Sequence, residues 1–204
     1  MSATTIKTCH GVSILTSSHT AVRALRRVAP QARLHGNKVW TATYVLIDFL
    51  QQRGLPTGSR VLDLGCGWGV LSCYLAREFG AEVTGIDADD AVQPYFALHA
   101  QHNAVTPRFL CQNFEALTAE FLAGFDVIVA SDICFWDQSV QPLVQLLERA
   151  LEAGVKQVLI ADPGRPPFWQ LADHCAETFF AEVQMHRIDT PRVATKPVML
   201  IENA

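Results

Sequence analysis

The stretch VLDLGCGWGV sets Gly65, Gly67 and Gly69 directly after a short apolar run and ahead of the periodic segment that begins at Val70. Glycines between a strand and a helix let the backbone approach a ligand closely. They also leave the helix's first N–H groups free to meet it, which is how doubly wound sheets hold nucleotides. The spacing is G-x-G-x-G and not the dinucleotide fingerprint G-x-G-x-x-G. No Lys-Ser/Thr follows, so a phosphate loop of the NTPase kind is excluded. Asp87 closes the next strand-like run, VTGID, 22 residues beyond Gly65. A carboxylate at that strand end accepts hydrogen bonds from both hydroxyls of a ribose; the alternative is a cap on the turn it shares with Asp89 and Asp90.

A second cluster lies in FDVIVASDICFWD, Phe125 to Asp137. Val127 to Ala130 have the composition of a buried strand. That strand delivers Ser131, Asp132, Phe135 and Trp136 to the carboxyl end of the sheet, where sites of this class of fold collect. Asp132 is expected to orient a nucleophile, with a turn cap as its alternative. Phe135 either packs against an acceptor or, like Trp136, belongs to the core or a lid, which is the reading preferred for Trp136. Arg165, in Pro-Gly-Arg-Pro-Pro, either binds a substrate carboxylate or shapes a turn. The seven histidines share no helical face and no metal spacing, and the six cysteines form no C-x-x-C, so no structural metal is expected.

These residues need a scaffold of alternating strands and helices. Strand-like runs occur at RVLDLG, AEVTGID, RFLCQN, FDVIVAS and KQVLIA. Helix-like runs occur at VLSCYLAREF, DDAVQPYFALHAQHN, SVQPLVQLLERALEAG and PPFWQLADHCAETF, with glycine stops at Gly80 and Gly154. The chain closes with VQMHRID and KPVMLIE, joined too briefly for a crossover and therefore antiparallel. TATYVLIDFLQQRG forms a further helix before the sheet. The fold class is therefore α/β: a doubly wound, mostly parallel seven-stranded sheet with a C-terminal antiparallel hairpin and helices on both faces.

The 204 residues suit one domain. No run reaches the roughly 18 apolar residues of a membrane helix, and no apolar stretch after Lys7 has the form of a secretory signal. Charge is uneven. Residues 1–47 hold Lys7, Arg23, Arg26, Arg27, Arg33 and Lys38 and no acid, a total of +6. All 20 acidic residues lie beyond them with ten of the 16 basic ones, so the remainder carries −10. The division expected is a basic N-terminal arm, 1–36, that docks on the acidic body, and one domain, 37–204. Four arginines are sparse for nucleic acid, which is not an expected partner. Free thiols fit a reducing compartment, so the location expected is the cytoplasm; the acid-free, Ser/Thr/Arg-rich start also has the make-up of a transit peptide, which keeps the mitochondrion open.

In order, VLDLGCGWG, VTGIDAD, FLCQNFEAL, FDVIVASD and the closing hairpin resemble the class I, seven-strand S-adenosylmethionine-dependent methyltransferases, across about Ser59 to Asn203. The resemblance implies S-adenosyl-L-methionine as cofactor, wrapped by Gly65, Gly67 and Gly69 with Asp63 beneath. It implies Asp87 on the ribose, Asn113 at the adenine amine unless it caps its own loop, and Ser131 beside the cofactor. Ser131-Asp132-Ile133-Cys134-Phe135 lacks the Asn/Asp-Pro-Pro-Tyr/Phe motif of base-amine methyltransferases and resembles the D-x-x-Y/F of protein-lysine methyltransferases. Gly36 to Trp40 resembles the G-x-x-x-W of the same group, with Trp40 lining the cofactor pocket or packing the first helix. ADPGRPPF is similar to the electron-transfer-flavoprotein β-subunit lysine methyltransferase branch.

The implied reaction is N-methylation of a lysine on a protein partner. Asp132 would hold the ε-nitrogen and Phe135 its stem or its methylated cation. The alternatives are a small-molecule N-methyltransferase of the nicotinamide type, an RNA methyltransferase and a non-catalytic protein of this fold.

Overall fold

The computed structural model describes residues 5–29, 36 and 38–203. Its main sheet contains β3 (Arg60–Leu64), β4 (Glu82–Asp87), β5 (Arg108–Cys111), β6 (Val127–Ser131), β7 (Gln157–Ala161), β8 (Glu182–Ile188) and β9 (Ala194–Glu202). Their order is β5-β4-β3-β6-β7-β9-β8, parallel throughout except that β9 runs against both its neighbours. The order reverses between β3 and β6, so a crevice opens there at the carboxyl ends of the strands.

Side chains alternate between two cores, as the period of a strand buried on both faces requires. Val61, Val127, Val129, Leu159 and Leu200 face one cluster with α2 (Thr41–Arg53) and α3 (Val70–Phe79). Leu62, Leu64, Ile128, Val158 and Ile160 face the other with α5 (Ala119–Leu122), α6 (Val140–Glu152) and α7 (Pro166–Phe179). α3 ends at Gly80 in the left-handed conformation, its N–H closing on Leu75 O, and α7 begins on Pro166 and Pro167, where proline lacks only an N–H that a first turn does not use. Among the described residues no helix is long and apolar enough to cross a membrane.

The segment before α2 contains a hairpin of β1 (Ile6–Cys9) and β2 (Val12–Leu15), followed by α1 (Thr20–Val28). The turn is His10-Gly11, with φ of 41° and 77°, and two positive φ angles in succession are what a two-residue hairpin turn with matching twist demands. A His-Gly pair is a weak signal of such a turn, so the sequence did not announce it. Val12, Ile14 and Leu15 are buried.

The free edge of β2 is paired by side chains of α4 (Gln93–His102) and the residue after it. Ser13 N–H donates to Asn103 Oδ1 at 2.8 Å, Asn103 Nδ2 donates to Ser13 O at 2.9 Å, and Leu15 N–H donates to His99 Nε2 at 3.2 Å. Arg23, Arg26 and Arg27 of α1 are exposed. Arg33 and the rest of 1–4, 30–35 and 37 lie outside the described residues.

His99 Nδ1 donates to Tyr95 O at 2.8 Å, which leaves Nε2 as the acceptor for Leu15. Protonation of Nε2 would remove that acceptor, and burial pushes the His99 pKa down. A histidine whose folded pKa lies below its unfolded value stabilises the fold above that unfolded value, and the stabilisation is lost as pH falls below it. Lowering pH from 7 to 5 is therefore expected to loosen the hairpin before the sheet. Amide exchange at Leu15, corrected for its intrinsic pH dependence, will accelerate relative to Ile128, and His99→Gln will remove the pH dependence.

Candidate active site

The loop from β3 to α3 turns on three left-handed glycines, with φ of 65° at Gly65, 50° at Gly67 and 72° at Gly69. Their surroundings differ. A Cβ on Gly65 would stand 2.7 Å from Ile133 Cγ2, and one on Gly69 2.4 Å from the Phe96 ring, whereas one on Gly67 would meet nothing within 4 Å. Gly65 and Gly67 line the cavity at the strand ends; Gly69 is absent from its lining, and its lack of a side chain is used to seat Phe96. Gly69, expected to belong to the loop that wraps the cofactor, lies against Phe96.

Asp87 ends β4 and holds this loop. Its Oδ2 accepts Gly67 N–H at 3.0 Å and its Oδ1 accepts Asp89 N–H at 3.0 Å. An ionised carboxylate has about four acceptor positions, so both oxygens remain able to take a ribose hydroxyl. Burial raises the Asp87 pKa. Asp63 is buried between β3 and the first turn of α3, where Ser72 Oγ donates to its Oδ2 at 2.6 Å. Burial first, then the charge of Asp87, pushes it up to about 7, while the Ser72 hydrogen bond acts the other way.

The opposite wall comes from the segment before α2 and from the end of β6. Trp40 lines the cavity with Lys38, whose Nζ lies 3.9 Å over the Trp40 ring, and with Gly36. Trp68, from within the glycine loop, donates Nε1–H to Gly36 O at 2.9 Å and stacks on Tyr95 at 5.0 Å. Ser131 Oγ and Thr43 Oγ1 share a hydrogen bond of 2.9 Å that ties β6 to α2, and Ser131 lines the cavity.

Of the two readings of Asn113, a contact to adenine or a cap on its own loop, the structure shows the cap. Its Oδ1 accepts Glu115 N–H at 3.2 Å, capping the turn Phe114–Ala116, and it is exposed. Gln112 and Phe114 on either side line the cavity instead. Successive residues of an extended backbone point to opposite sides, so an outward Asn113 turns both neighbours inward.

Asp132 and Phe135 do come together at the cavity, but with a third residue between their functions. Arg165 Nη2 forms a short charge-assisted hydrogen bond to Asp132 Oδ1, and its guanidinium carbon lies 4.2 Å from the centre of the Phe135 ring. Arg165 Nη1 donates to Asp162 Oδ2 at 2.8 Å. Trp136, assigned above to the core or a lid, lines the cavity and is 48% exposed. Sequence reasoning missed Lys38, Trp68, Gln112, Phe114 and Trp136 as parts of the site. The signal available was the aromatic following Phe135 and the lysine two residues before Trp40.

The residues present fit an S-adenosylmethionine molecule. Gly65 and Gly67 carry no side chain into the crevice, Asp87 meets it with a carboxylate, and Ile86, Ala88 and Phe114 give apolar walls for a base. The family described as "Methyltransferase domain" matches residues 61–154. The ubiquinone biosynthesis O-methyltransferase of Xanthomonas axonopodis pv. citri (strain 306) is 30% identical over 143 residues, covering 70% of this chain and 57% of that protein. That of Xylella fastidiosa (strain M23) is 36% identical over 104 residues, covering 51% of this chain and 40% of that protein. The chain thus spans less than two thirds of the length of these curated relatives. They bear the name of ubiquinone O-methyltransferases, not of the lysine or electron-transfer-flavoprotein branch to which the motif resemblance pointed.

Among solved structures, the T. thermophilus 16S rRNA N2 G1207 methyltransferase (RsmC), in complex with AdoMet and guanosine, superposes with a TM-score of 0.63 at 27% identity over 86% of this chain and 46% of that one. A methyltransferase from Pyrococcus furiosus superposes at 0.61 with 15% identity over 84% and 91%, a likeness of fold. The strand order with its reversed last hairpin strand is the Rossmann-like fold of the methyltransferases among these solved structures, and the match to the methyltransferase-domain family runs from the first strand of the main sheet through its glycine loop to the turn after α6.

Proposed function

We propose that the protein transfers the methyl group of S-adenosylmethionine to an oxygen or nitrogen of a small organic acceptor. The observation that carries this reading is the position of Arg165. The Asp132–Phe135 spacing implied a cradle for a substrate lysine, with the acid on its nitrogen and the ring along its stem. The chain's own arginine fills that cradle, bonded to Asp132 and lying on Phe135. The remaining lining on that side of the cavity is aromatic, Trp136 and Trp40, which suits a flat apolar acceptor better than an extended charged stem. The names of the relatives in ubiquinone biosynthesis support a small acceptor.

When bound, the cofactor supplies an electrophilic methyl carbon on a sulfonium. The chain's contribution is then placement: the two reacting atoms held close and in line, with water kept out. Gly65, Gly67 and Asp87 hold the donor, and the aromatic walls hold the acceptor against the end of β6.

Incubation of the protein with methyl-labelled S-adenosylmethionine and a cell extract, followed by fractionation, tests the reading. Label is expected in the small-molecule fraction. Label confined to lysine in protein would restore the reading from Asp132 and Phe135, and label confined to RNA would move the acceptor to nucleic acid; either result overturns this one.

Asp63 gives a further expectation. Its acid titrates near 7 in the free protein because it is buried. A cationic cofactor nearby favours the ionised form and lowers that pKa, so binding releases a proton. Affinity is expected to rise as pH increases toward about 7, by up to about tenfold per unit, and to level off above it. Calorimetric titrations in buffers of different ionisation enthalpy will show the proton release, and Asp63→Asn will abolish it.

A further inference from the structure

Asp132 is held in an unusual state. Its backbone adopts φ of 64°, a left-handed conformation that side-chain-bearing residues rarely take, and its N–H donates to Ala161 O at 2.9 Å. Its Oδ1 is bonded by Arg165, while its Oδ2 is buried and has no hydrogen-bond partner among the described residues. A buried carboxylate oxygen without a donor is costly, and in a cavity wall it marks the place where a ligand brings one.

The other side of the arrangement is over-determined. Asp162, fully buried at the end of β7, accepts Gly164 N–H at 2.9 Å and Arg165 N–H at 3.0 Å on Oδ1, and Arg165 Nη1 at 2.8 Å on Oδ2. One acid therefore sets both the backbone and the guanidinium of Arg165. Cys134 O accepts from Nη1 as well, at 3.4 Å, and the ring of Phe135 supports the guanidinium from below. Two carboxylates share one guanidinium, and Oδ2 of Asp132 is the carboxylate oxygen of the pair that it leaves without a partner among the described residues.

We propose that Asp162 and Arg165 form a brace that aims Oδ2 of Asp132 at the nucleophilic atom of the acceptor, and that the acceptor must carry a hydrogen on that atom. The proposal rests on the small-molecule reading above. Arg165 is a positioning residue; Asp132 is the group that meets the acceptor. The acceptors selected are hydroxyls and primary or secondary amines. Pyridine-type nitrogens, tertiary amines and thioethers bring no donor and leave Oδ2 bare. A site built to hydrogen-bond its substrate rejects an analogue lacking the hydrogen by factors on the order of 10⁴. A nicotinamide-type acceptor, whose ring nitrogen has no hydrogen, is thereby excluded.

The test uses catechol, aniline, nicotinamide and the small-molecule fraction of a cell extract as acceptors, with wild type, R165K, R165M and D162N. In the wild type, transfer to catechol or aniline is expected to exceed transfer to nicotinamide at least 100-fold. R165M and D162N are expected to lower kcat about 100-fold, with the acceptor KM and the calorimetric affinity for S-adenosylmethionine within about threefold of wild type. R165K keeps the charge without the fork and should recover about tenfold over R165M. Thermal unfolding reads the same network without turnover: R165M leaves two buried acids uncompensated and melts lower, and D132N/R165M recovers part of the loss, since Asp162 still lacks its guanidinium partner.

Nicotinamide methylated as well as catechol, or R165M with wild-type kcat, overturns the brace while leaving the small-molecule reading intact. Cofactor bound with no label in any small-molecule pool overturns that reading and the brace with it.

Discussion

Asp87→Ala is expected to weaken S-adenosylmethionine binding more than 100-fold while leaving the protein folded. The carboxylate does two things at once. It accepts the Gly67 and Asp89 N–H groups at 3.0 Å each, which shapes the glycine loop, and it meets the cavity, where a ribose presents two hydroxyls. Hydrogen bonds to a charged acceptor contribute about 1.5–3 kcal/mol each. Losing two toward the ligand removes about 3 kcal/mol or more, and the freed Gly67 N–H lets the loop relax away from its binding shape.

Asp87→Asn retains acceptor capacity on one atom and should fall between. Calorimetric titration gives the affinities, and a melting temperature within a few degrees of wild type shows that the effect is local. An Asp87→Ala protein that binds within tenfold of wild type would mean that the ribose is held elsewhere.

Gly69→Ala is expected to be the most damaging single change to folding among the three loop glycines, by about 2–4 kcal/mol. The added Cβ would lie 2.4 Å from the buried Phe96 ring, at a φ of 72° that disfavours any side chain. A ring packed in a core cannot retreat by the ångström needed without moving its own neighbours, Phe109 among them at 5.3 Å. Denaturant unfolding measures the loss. In the double variant Gly69→Ala, Phe96→Ala the clash is absent, so the two costs should sum to more than the double variant shows. Gly67→Ala is the contrast: nothing lies within 4 Å of its Cβ, so stability falls by only about 1 kcal/mol for the backbone while cofactor affinity drops, because the methyl points into open space. Equal stability losses at both positions would contradict this division of roles.

Much of the scaffold was legible before any coordinates. α3 and α7 occupy Val70–Phe79 and Pro166–Phe179, the segments marked out by apolar period and by glycine or proline boundaries. The strands followed from β-branched runs buried on both faces, and the brevity of the last connection set the reversed β9. These are local properties, carried by neighbours in the chain. The β1–β2 hairpin was not legible, because its turn uses His10 at a positive φ and its edge is completed by His99 and Asn103, some ninety residues away.

The same division governs the site. Sequence by itself determined the glycine loop, the acid ending the second sheet strand and the presence of Asp132 at a strand end, since each depends on spacing within a few residues. Tertiary structure alone decided what Asp132 meets. Parallel pairing sets Ser131 beside Ala161, so the next residues, Asp132 and Asp162, emerge side by side from adjacent strands, and the turn after Asp162 carries Arg165 back onto Asp132 and Phe135. That register arises from two whole strands burying their faces together, a non-local condition that no motif of a few residues contains. It set Arg165 against both Asp132 and Phe135, where spacing along the chain had pointed only to an acid and a ring side by side.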